Sequence, residues 1–575
     1  MDARRKATTI RRLSNDGVPV LIGTLFFALT IGIEKLDPRN ISWLSFEDQH
    51  MHWLGWRFFA QDEWRWPLGA NPNLGWERMN SIVFTDSFPG LAVLFKAVNL
   101  DVFDRGQFFG IGHLIGALLL FVGGRRLFSS LGLGLLQANL ATAILATTPL
   151  FWWMHRWYPA LSSGIALLVW AIYLYFDDRR RPRCRWHCWA MLLAGALVTH
   201  FYLVILITAF LVAALVQRYI DNRLNMTVDT VFLSAIVALL SGLMYLLGYF
   251  TVPSKWAQTG GYGWYSANLL GFLDQNEASW LIPDLPSKSS QHEPTSLGTG
   301  SLVLLILLVI ARLRRRQKFE LESVVRKHIP LAVVLSLLAL LAVTNTVTIG
   351  SWTIQLPLPH RLQHGLSIFR ASARFIWPSL ILAVVGIAVL VTRTFKRASL
   401  ALALAFAIQL VDYSHEMFAV SQRPNGYDIN IVFEKEFWAR IPDEYTSISS
   451  HPAASLSEGW AECAFAAVQT GRAAQCGYFA RVQGLDQVNR LQSDALFAGN
   501  LDPHTVYWVS IGWLQTNKSE LIKTYDVERA SVQVVSVGAV AANSAVLIFP
   551  NCDASSECSF LGDRRTTLGV FLRSL

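Results

Sequence analysis

The feature that most constrains this chain is a series of apolar blocks long enough to cross a lipid bilayer. One block, VPVLIGTLFFALTIGI, begins at Val18, and another, FFGIGHLIGALLLFVGG, begins at Phe108. A helix of about 20 apolar residues spans the hydrocarbon core, because it satisfies its own backbone hydrogen bonds there. Charged residues make up 15% of the chain, whereas soluble domains carry about 25%. The sequence therefore predicts an all-α polytopic membrane domain.

The apolar pattern predicts eleven transmembrane segments, and a shorter stretch at 89–98 is expected to lie along the membrane interface. The fifth and sixth segments belong to one run of 31 residues, which is long for one span and short for two. We expect these two helices to meet below the outer face, with His200 and Tyr202 at the floor of a cavity. The alternative for His200 is a hydrogen-bonded histidine in a packed turn. The predicted segments are 18–36, 108–128, 133–151, 158–176, 187–199, 201–218, 228–250, 298–312, 328–349, 375–392 and 398–413.

The distribution of Lys and Arg predicts the orientation of these segments. Alternate connecting segments, beginning with the N-terminus, contain 24 basic residues in short loops. The opposite segments, up to residue 413, contain 13 in much longer loops. Because basic loops stay on the cytoplasmic side, the N-terminus is predicted to be cytoplasmic and the first span to be a retained anchor. The net charge of +9 follows from this distribution and does not indicate nucleic-acid binding.

Residues 414–575 follow the last predicted span and contain no block long enough to cross a membrane. Strand-like runs such as TVYWVSIGW and helix-like runs such as SEGWAECAFAAVQTG occur there. The tail is therefore predicted to be a small α/β domain outside the cytoplasm. Residues 1–413 are predicted to form the membrane domain, with a long first outward loop at 37–107. We expect the protein to lie in the bacterial inner membrane, with the tail in the periplasm.

The cysteines fit this topology. Four of the six lie in the tail, which indicates two disulfides in an oxidising compartment. The pairing of Cys463–Cys476 and Cys552–Cys558 is the simplest of three possible connectivities. The other two cysteines, Cys184 and Cys188, fall in a predicted cytoplasmic loop and are expected to be reduced, because no second pair completes a zinc site.

The first outward loop is rich in tryptophan and acids, since six of the 21 tryptophans lie within residues 37–90. The run FEDQHMHWLGWRFF predicts an interfacial helix that presents Asp48 and His52 to a cavity and its tryptophan face to lipid. The alternative for Asp48 is a solvated acid. Asp86 precedes a helix with Pro89 in its first turn, so it is either a helix cap or a functional acid. Aromatic faces such as Trp56 also pack on sugar rings.

Basic and aromatic side chains predict where a lipid phosphate would bind. The run FRASARF places Arg370 and Arg374 four residues apart, on one face of a predicted helix. Arginine forks match phosphate oxygens, whereas the alternative is interfacial snorkelling to headgroups. His155 and Arg156 are second choices, together with Arg361. The run GGYGWYSANLLGF, which contains Tyr262 and Tyr265, predicts a loop suited to act as a lid.

The order of several stretches resembles a known class. An acid-bearing first outward loop, a helical bundle and an external C-terminal domain are similar in layout to the GT-C class of membrane glycosyltransferases. That class includes the protein O-mannosyltransferases and the aminoarabinose transferase of lipid A. DSFPGLAVLFK, THFYL, GYGWYSANLLGF, FRASARFIWP and QLVDYS also resemble stretches of a little-characterised bacterial family near that class.

The resemblance implies a polyprenyl-phosphate sugar donor, transfer outside the cytoplasm and a catalytic acid in the first outward loop. Asp48 best matches that position. The mannosyltransferases carry Asp-Glu where this chain has Glu47-Asp48, so Glu47 and Asp86 remain candidates for the base. The acceptor is expected to be a glycan, lipid or protein. The substrate-binding candidates are His52, Trp56, Arg57, His155, Arg156, His200, Tyr202, Tyr262, Tyr265, Arg370 and Arg374.

The chemistry is consistent with these residues. Inverting transfer needs one carboxylate to deprotonate the acceptor hydroxyl, and the phosphate leaving group needs cations rather than a proton. The sequence has no dense acidic cluster for Mg²⁺ or Mn²⁺, so no cofactor is expected and a divalent cation is not favoured. The alternatives are a transporter or flippase for a lipid-linked glycan and a non-catalytic membrane scaffold. A transporter is expected to carry paired charges inside its spans, and the sequence places only Glu34 and Asp412 near span ends.

Overall fold

The computed structural model groups the chain into two compact units. The membrane unit comprises residues 1–40, 108–244 and 259–423, and the loop–tail unit comprises residues 41–107, 245–258 and 424–575. The apolar pattern assigns the first outward loop to the membrane domain, whereas its contacts group it with the tail. The residues that the structure describes are 17–44, 47–75, 80–99, 101–104, 106–156, 158–251, 262–275, 278–286, 293–315, 325–422, 435–452, 460–477, 485–525, 532–536, 545–550 and 565–575.

The N-terminal part contains one span and two shorter helices. Helix α1 (Gly17–Leu36) is long and apolar enough to cross a membrane. In the first loop, α2 (Glu47–Gln61) forms where the sequence predicts a helix. Helix α3 (Pro89–Val98) begins with proline at its first position, where the missing N–H costs nothing. The short helix Asp101–Asp104 follows.

The central part of the membrane unit is a series of packed helices. They are α4 (Phe109–Ser130), α5 (Leu135–Ala146), α6 (Pro149–His155), α7 (Pro159–Asp178), α8 (Trp186–Leu197), α9 (Phe201–Ile220) and α10 (Met226–Leu247). Helices α5 and α6 meet at an angle of 64° and could together form one broken span. Gly116 lets α4 approach α7, because a Cβ there would lie 2.7 Å from Ser163 Cα. Small residues at such crossings are the usual basis of close helix packing in membranes.

The remaining helices of this unit are α11 (Thr299–Arg315), α12 (Ile329–Val343), α13 (His360–Leu366), α14 (Trp377–Thr394) and α15 (Ala398–Gln422). Helix α12 ends at Val343 because Thr344 has φ of 64°, so the predicted span 328–349 is too long. Strands β1 (Thr346–Ile349) and β2 (Trp352–Gln355) follow as an antiparallel hairpin. A 3₁₀ turn, Ser372–Ile376, leads into α14.

Among the described residues, seven helices are long and apolar enough to cross a membrane, or eight if α5 and α6 form one span. Each of the eleven predicted segments contains a helix, but α8 and α12 are shorter apolar helices of 12 and 15 residues, and α11 has 17. The apolar composition predicted these helices, whereas their lengths depend on turn residues. The chain is a multi-pass membrane protein with a mostly helical fold.

The tail is an α/β domain, as predicted. Its sheet has the order β4-β3-β5-β7-β6-β8, and β3 pairs in parallel with both β4 and β5. The other pairs are antiparallel. The elements are β3 (Ser447–His451), α16 (Trp460–Gln469), β4 (Ala473–Ala474), α17 (Leu485–Ala498), β5 (Thr505–Ser510), α18 (Ile511–Thr524), β6 (Val532–Ser536), β7 (Ala545–Pro550), β8 (Arg565–Thr567) and α19 (Leu568–Ser574), after a short helix at Lys435–Ala439.

The predicted disulfide Cys463–Cys476 is present and joins α16 to the chain just beyond β4. The predicted Cys552–Cys558 bridge lies outside the described residues. Cys184 and Cys188 are free, as predicted. A disulfide in the tail is consistent with an oxidising compartment.

The first loop packs on the tail within the loop–tail unit. The amide of Ala474 donates to Asn73 O at 2.7 Å, and the amide of Gly75 donates to Ala474 O at 2.8 Å. Leu74 therefore forms a parallel bridge with the edge strand β4. The ring centroids of His50 and Trp460 are 5.8 Å apart, which places α2 against α16. The tail and the acid-bearing loop form one structural module.

Candidate functional site

Helix α2 carries the predicted base at its beginning. Asp48 is half-buried in the first turn, where a carboxylate also interacts favourably with the helix dipole. His52 lies one turn later and is buried. Gly55 permits close packing on the following segment, because a Cβ there would lie 2.2 Å from Thr85 Oγ1. The side chain of Glu47 lies outside the described residues.

The segment around Asp86 is held against α2 in a strained conformation. Ser87 Oγ donates to His52 O at 2.5 Å. Asp86 and Phe88 both have φ near 50°, which aspartate tolerates and a bulky residue rarely adopts. Phe88 occupies the N-cap position of α3 and its side chain makes no capping hydrogen bond, so Asp86 is not at the N-cap that the sequence predicts. Such strain persists where the surrounding structure fixes it and often marks functional positions.

The tryptophan face of α2 packs on protein, which corrects the prediction that it faces lipid. Trp56 Nε1 donates to Phe103 O at 3.0 Å, and Trp53 and Trp56 are both buried. Arg57 is also buried, with its guanidinium 5.9 Å from the Trp53 ring centroid. Trp56 and Arg57 therefore support α2 from within the loop–tail unit.

His50 is a buried histidine that the sequence analysis did not single out. It lies between the rings of Trp53 and Trp460, and its Nε2 has no hydrogen-bond partner among the described residues. Burial lowers the pKa of His50 to about 4, so the imidazole is neutral at pH 7. The sequence signal that could have identified His50 is its position two residues after Asp48.

Arg374 lies at the centre of a polar cluster in the membrane unit. Its Nε and Nη2 both donate to Glu293 Oε1, at 2.8 and 2.7 Å. Its guanidinium is 4.7 Å from the ring centroid of Tyr158 and 5.2 Å from that of Tyr202. Both charged side chains are buried. Glu293 Oε2, also buried, has no hydrogen-bond partner among the described residues.

Arg370 has different surroundings from Arg374. It precedes the 3₁₀ turn, so the two arginines do not share a helix face, and that prediction is wrong. Arg370 Nη2 donates to Tyr265 Oη at 3.0 Å, and its guanidinium lies 5.1 Å from the Tyr265 ring centroid. The side chain is only half-buried. Tyr265 O in turn accepts from Ala373 N at 2.9 Å, which fixes the segment between the arginines.

Two histidines form a second polar cluster, on α4 and α6. His155 Nδ1 lies 2.7 Å from His113 Nδ1, so one of these nitrogens carries the proton and the other accepts it. Ser162 Oγ lies 2.9 Å from His155 Nδ1, and Ser163 Oγ lies 2.9 Å from His113 Nδ1. Three residues after His155, Tyr158 reaches the arginine cluster. The side chain of Arg156 lies outside the described residues.

The remaining predicted residues have structural partners. His200 caps α9 by accepting from Tyr202 N at 3.2 Å, which matches the packed-turn alternative. Tyr202 Oη accepts from Ala371 N at 3.1 Å, so it supports the arginine segment. Tyr262 is half-buried in the loop between α10 and α11, and burial raises its pKa.

Asp412 binds the loop between α10 and α11 to α15. Its carboxylate accepts from Ser279 Oγ at 2.7 Å, from Leu281 N at 2.8 Å and from the hydroxyl of Thr299. Tyr413 Oη accepts from Thr299 N at 2.9 Å and donates to Gln275 Oε1. These bonds give Asp412 a full set of neutral partners, so its role is to hold the loop.

Three buried polar residues of the membrane unit were not predicted from the sequence: Lys35, His113 and Glu293. Lys35 is buried and donates to Val420 O at 3.0 Å. Each of these three residues contacts a residue that is far away in the sequence. The only sequence signal was an ionisable residue within or beside an apolar block. Within the described ranges, no group of three His, Cys, Asp or Glu side chains could hold a metal ion.

Two family models match this chain, one over most of its membrane part and one over part of its tail. Residues 437–534 match the family model described as the DUF6311 C-terminal domain. A search among curated proteins finds no significant match. Residues 20–414, more than half of the chain, match the family model described as Domain of unknown function (DUF6311), so the protein belongs to the DUF6311 family.

Proposed function

We propose that this protein is an inverting membrane glycosyltransferase that moves a sugar from a polyprenyl phosphate to an extracytoplasmic glycan, lipid or protein. The observation that carries the proposal is the buried Arg374–Glu293 pair between two tyrosine rings. Glu293 Oε2 can accept a hydrogen bond from a hydroxyl of the donor sugar, since Oε1 already binds Arg374. Tyrosine rings offer flat faces on which a sugar ring can pack.

Arg370 is the better candidate for the donor phosphate. Arg374 is already in a buried ion pair, and a phosphate would have to displace Glu293 at a large desolvation cost. Arg370 is half-buried and close to the phenol of Tyr265, so it can add a forked hydrogen bond to phosphate oxygens. Arg374 then fixes the segment that presents Arg370.

The base is proposed to be an acid of the first loop. Asp48 and Asp86 lie on two segments that are joined by the Ser87–His52 hydrogen bond. A carboxylate there takes the proton of the acceptor hydroxyl, and the leaving phosphate needs cations to balance its negative charge. One carboxylate is enough, because the leaving phosphate needs no acid. The proposed location is the bacterial inner membrane, with the loop–tail unit in the periplasm, as the basic-residue pattern and the disulfide support.

The donor site is tested by comparing two lipids in nanodiscs, a polyprenyl-phosphate sugar and the polyprenyl phosphate alone. Arg370→Ala is expected to weaken the binding of both lipids. Glu293→Gln also removes the counter-charge of Arg374, so the two lipids are compared within this variant, and the sugar-bearing lipid is expected to lose more affinity than polyprenyl phosphate alone. Gln363→Ala, an exposed change on α13, is the matched control. Equal binding of both lipids by all three variants would place the donor site elsewhere.

The base is tested by sugar transfer with bound donor. Asp48→Asn keeps the side-chain shape but cannot accept a proton, and loss of a general base costs ~10²–10⁴-fold in rate. Donor binding is expected to be unchanged. If Asp48→Asn transfers normally and Asp86→Asn or Glu47→Gln does not, the base is the other acid. Normal transfer by all three variants contradicts the glycosyltransferase proposal.

A second candidate is a flippase or transporter of a lipid-linked glycan. The buried Lys35 and Asp412 favour it, because ionisable side chains on membrane helices often mark transport paths. Movement of the labelled lipid across proteoliposomes without sugar transfer would identify this activity. Lys35 lies in the last turn of α1, and the carboxylate of Asp412 is held by neutral donors, which favours the enzyme.

A further inference from the structure

The segment between α12 and α14 has an unusual composition. Residues 344–375 contain no Asp or Glu, and they contain two histidines and three arginines, of which Arg374 is already paired with the buried Glu293. The hairpin of β1 and β2 lies in this segment, and all four residues of β2 are exposed. Trp352 is 82% exposed and Ile354 is 57% exposed. A large apolar surface therefore lies beside positive charge.

The hairpin is fixed rather than loosely attached. Asn268 Nδ2 donates to Gly350 O at 2.8 Å, and Gly350 N donates to Asn268 Oδ1 at 3.0 Å. The amide of Leu269 donates to Thr348 O at 2.9 Å. Gly350, at φ of 60°, makes the two-residue turn that ends at Trp352. An isolated hairpin is marginal in water, so these bonds hold the apolar strand in its exposed position.

The position of the hairpin along the chain brings it to a membrane surface. It begins three residues after the apolar helix α12 and is followed, through α13, by the span that contains α14. Helix α13 has Leu362, 50% exposed, beside the exposed Arg361. Tryptophan with nearby arginine is the usual composition of the lipid headgroup level, and positive charge without acids complements anionic lipids.

We propose that the β1–β2 hairpin and α13 dock into the lipid leaflet at the end of the helical bundle where they lie. Trp352 and Ile354 insert at the boundary between headgroups and acyl chains, and Arg361 binds an anionic headgroup. This inference does not depend on sugar transfer. An exposed apolar strand of this kind on a water-facing surface would be an aggregation site, whereas in a leaflet it buries its side chains in lipid.

The test uses an environment-sensitive dye on single cysteines, in a background with Cys184, Cys188, Cys552 and Cys558 changed to Ser and the Cys463–Cys476 bridge kept. Trp352→Cys and Thr353→Cys place the dye on opposite faces of β2, and Asn500→Cys places it on an exposed turn of the tail. In nanodiscs, the dye at 352 is expected to emit further to the blue than at 353 or 500. Quenching by brominated lipid is expected to be several-fold greater at 352 than at 500.

The second part of the test varies the charge of the lipid. The quenching at 352 is expected to increase when phosphatidylglycerol replaces phosphatidylcholine, and Arg361→Gln is expected to remove that increase. Quenching of the 352 dye by aqueous iodide to the same extent as the 500 dye would overturn the proposal. A blue-shifted dye that neither brominated lipid nor iodide quenches would also overturn it, since protein would then cover the strand.

Discussion

At the scale of single residues, Arg374 and Arg370 have different surroundings, although the sequence predicts phosphate binding for both. Arg374→Ala leaves Glu293 buried without its cation, because both donors of Arg374 bind Glu293 Oε1. Breaking such a pair typically costs about 3–5 kcal/mol. Thermal unfolding in detergent is expected to show a large loss of stability for Arg374→Ala and little change for Arg370→Ala. The double change Arg374→Gln with Glu293→Gln should recover part of the loss, and no recovery would mean that the ion pair is not its source.

A pH effect on stability also belongs to single residues. Burial lowers the pKa of both His50 and His451 to about 4 in the folded protein. Unfolded histidine has a pKa of about 6.5, so below that pH the unfolded state binds more protons. The loop–tail unit is therefore expected to lose stability as the pH falls from about 6.5 towards 4, by ~1.4 kcal/mol per pH unit for each histidine.

Urea unfolding at a series of pH values measures this effect. His451→Gln and His50→Gln should each flatten the slope, whatever their effect at pH 7. A slope that neither change alters would assign the acid sensitivity to other groups. His451 is held by Gln492 and Ser493, so the glutamine variant can keep a hydrogen bond there.

At the scale of elements, local patterns predicted well where the partner lies nearby. Helix α2, helix α16, strand β5 and the Cys463–Cys476 bridge all follow from short runs of sequence. Asp86 was expected at the N-cap of α3, but Phe88 occupies that position and both residues have φ near 50°. The hairpin β1–β2 was missed, since its alternating residues continue an apolar helix without a visible break. Glu293 could not be found, because its partner Arg374 lies 81 residues away.

The disulfide gives a prediction about two elements together. It fastens α16 close to β4, and β4 carries Ala474, which binds Asn73 and Gly75 of the first loop. A bridge that closes a loop of this size contributes about 3 kcal/mol. The variant with both Cys463→Ser and Cys476→Ser is expected to be less stable than the parent protein by about this free energy. Hydrogen exchange should rise at the amides of Gly75 and Ala474, and protection equal to the parent would contradict the coupling.

At the scale of the whole molecule, the number of spans fixes which sides the two ends occupy. Seven crossings put the ends on opposite sides of the membrane, as eleven would, whereas eight put them on the same side. The predicted cytoplasmic N-terminus and external tail therefore require an odd number. Reporter fusions at the two ends test this. A C-terminal reporter that is active only in the cytoplasm would exclude the proposed orientation and the periplasmic disulfide.

The pairing of Asn73 with Ala474 also has a consequence for biosynthesis. These residues are roughly 400 positions apart, and ribosomes add about 5–20 residues per second. The first loop therefore leaves the ribosome at least about 20 s before its partner strand exists. During that interval the backbone at Asn73 and Gly75 and the His50 ring lack their partners in the tail. The pairing can therefore form only late in synthesis, and a nascent chain stalled before residue 474 should present this loop to chaperones and proteases.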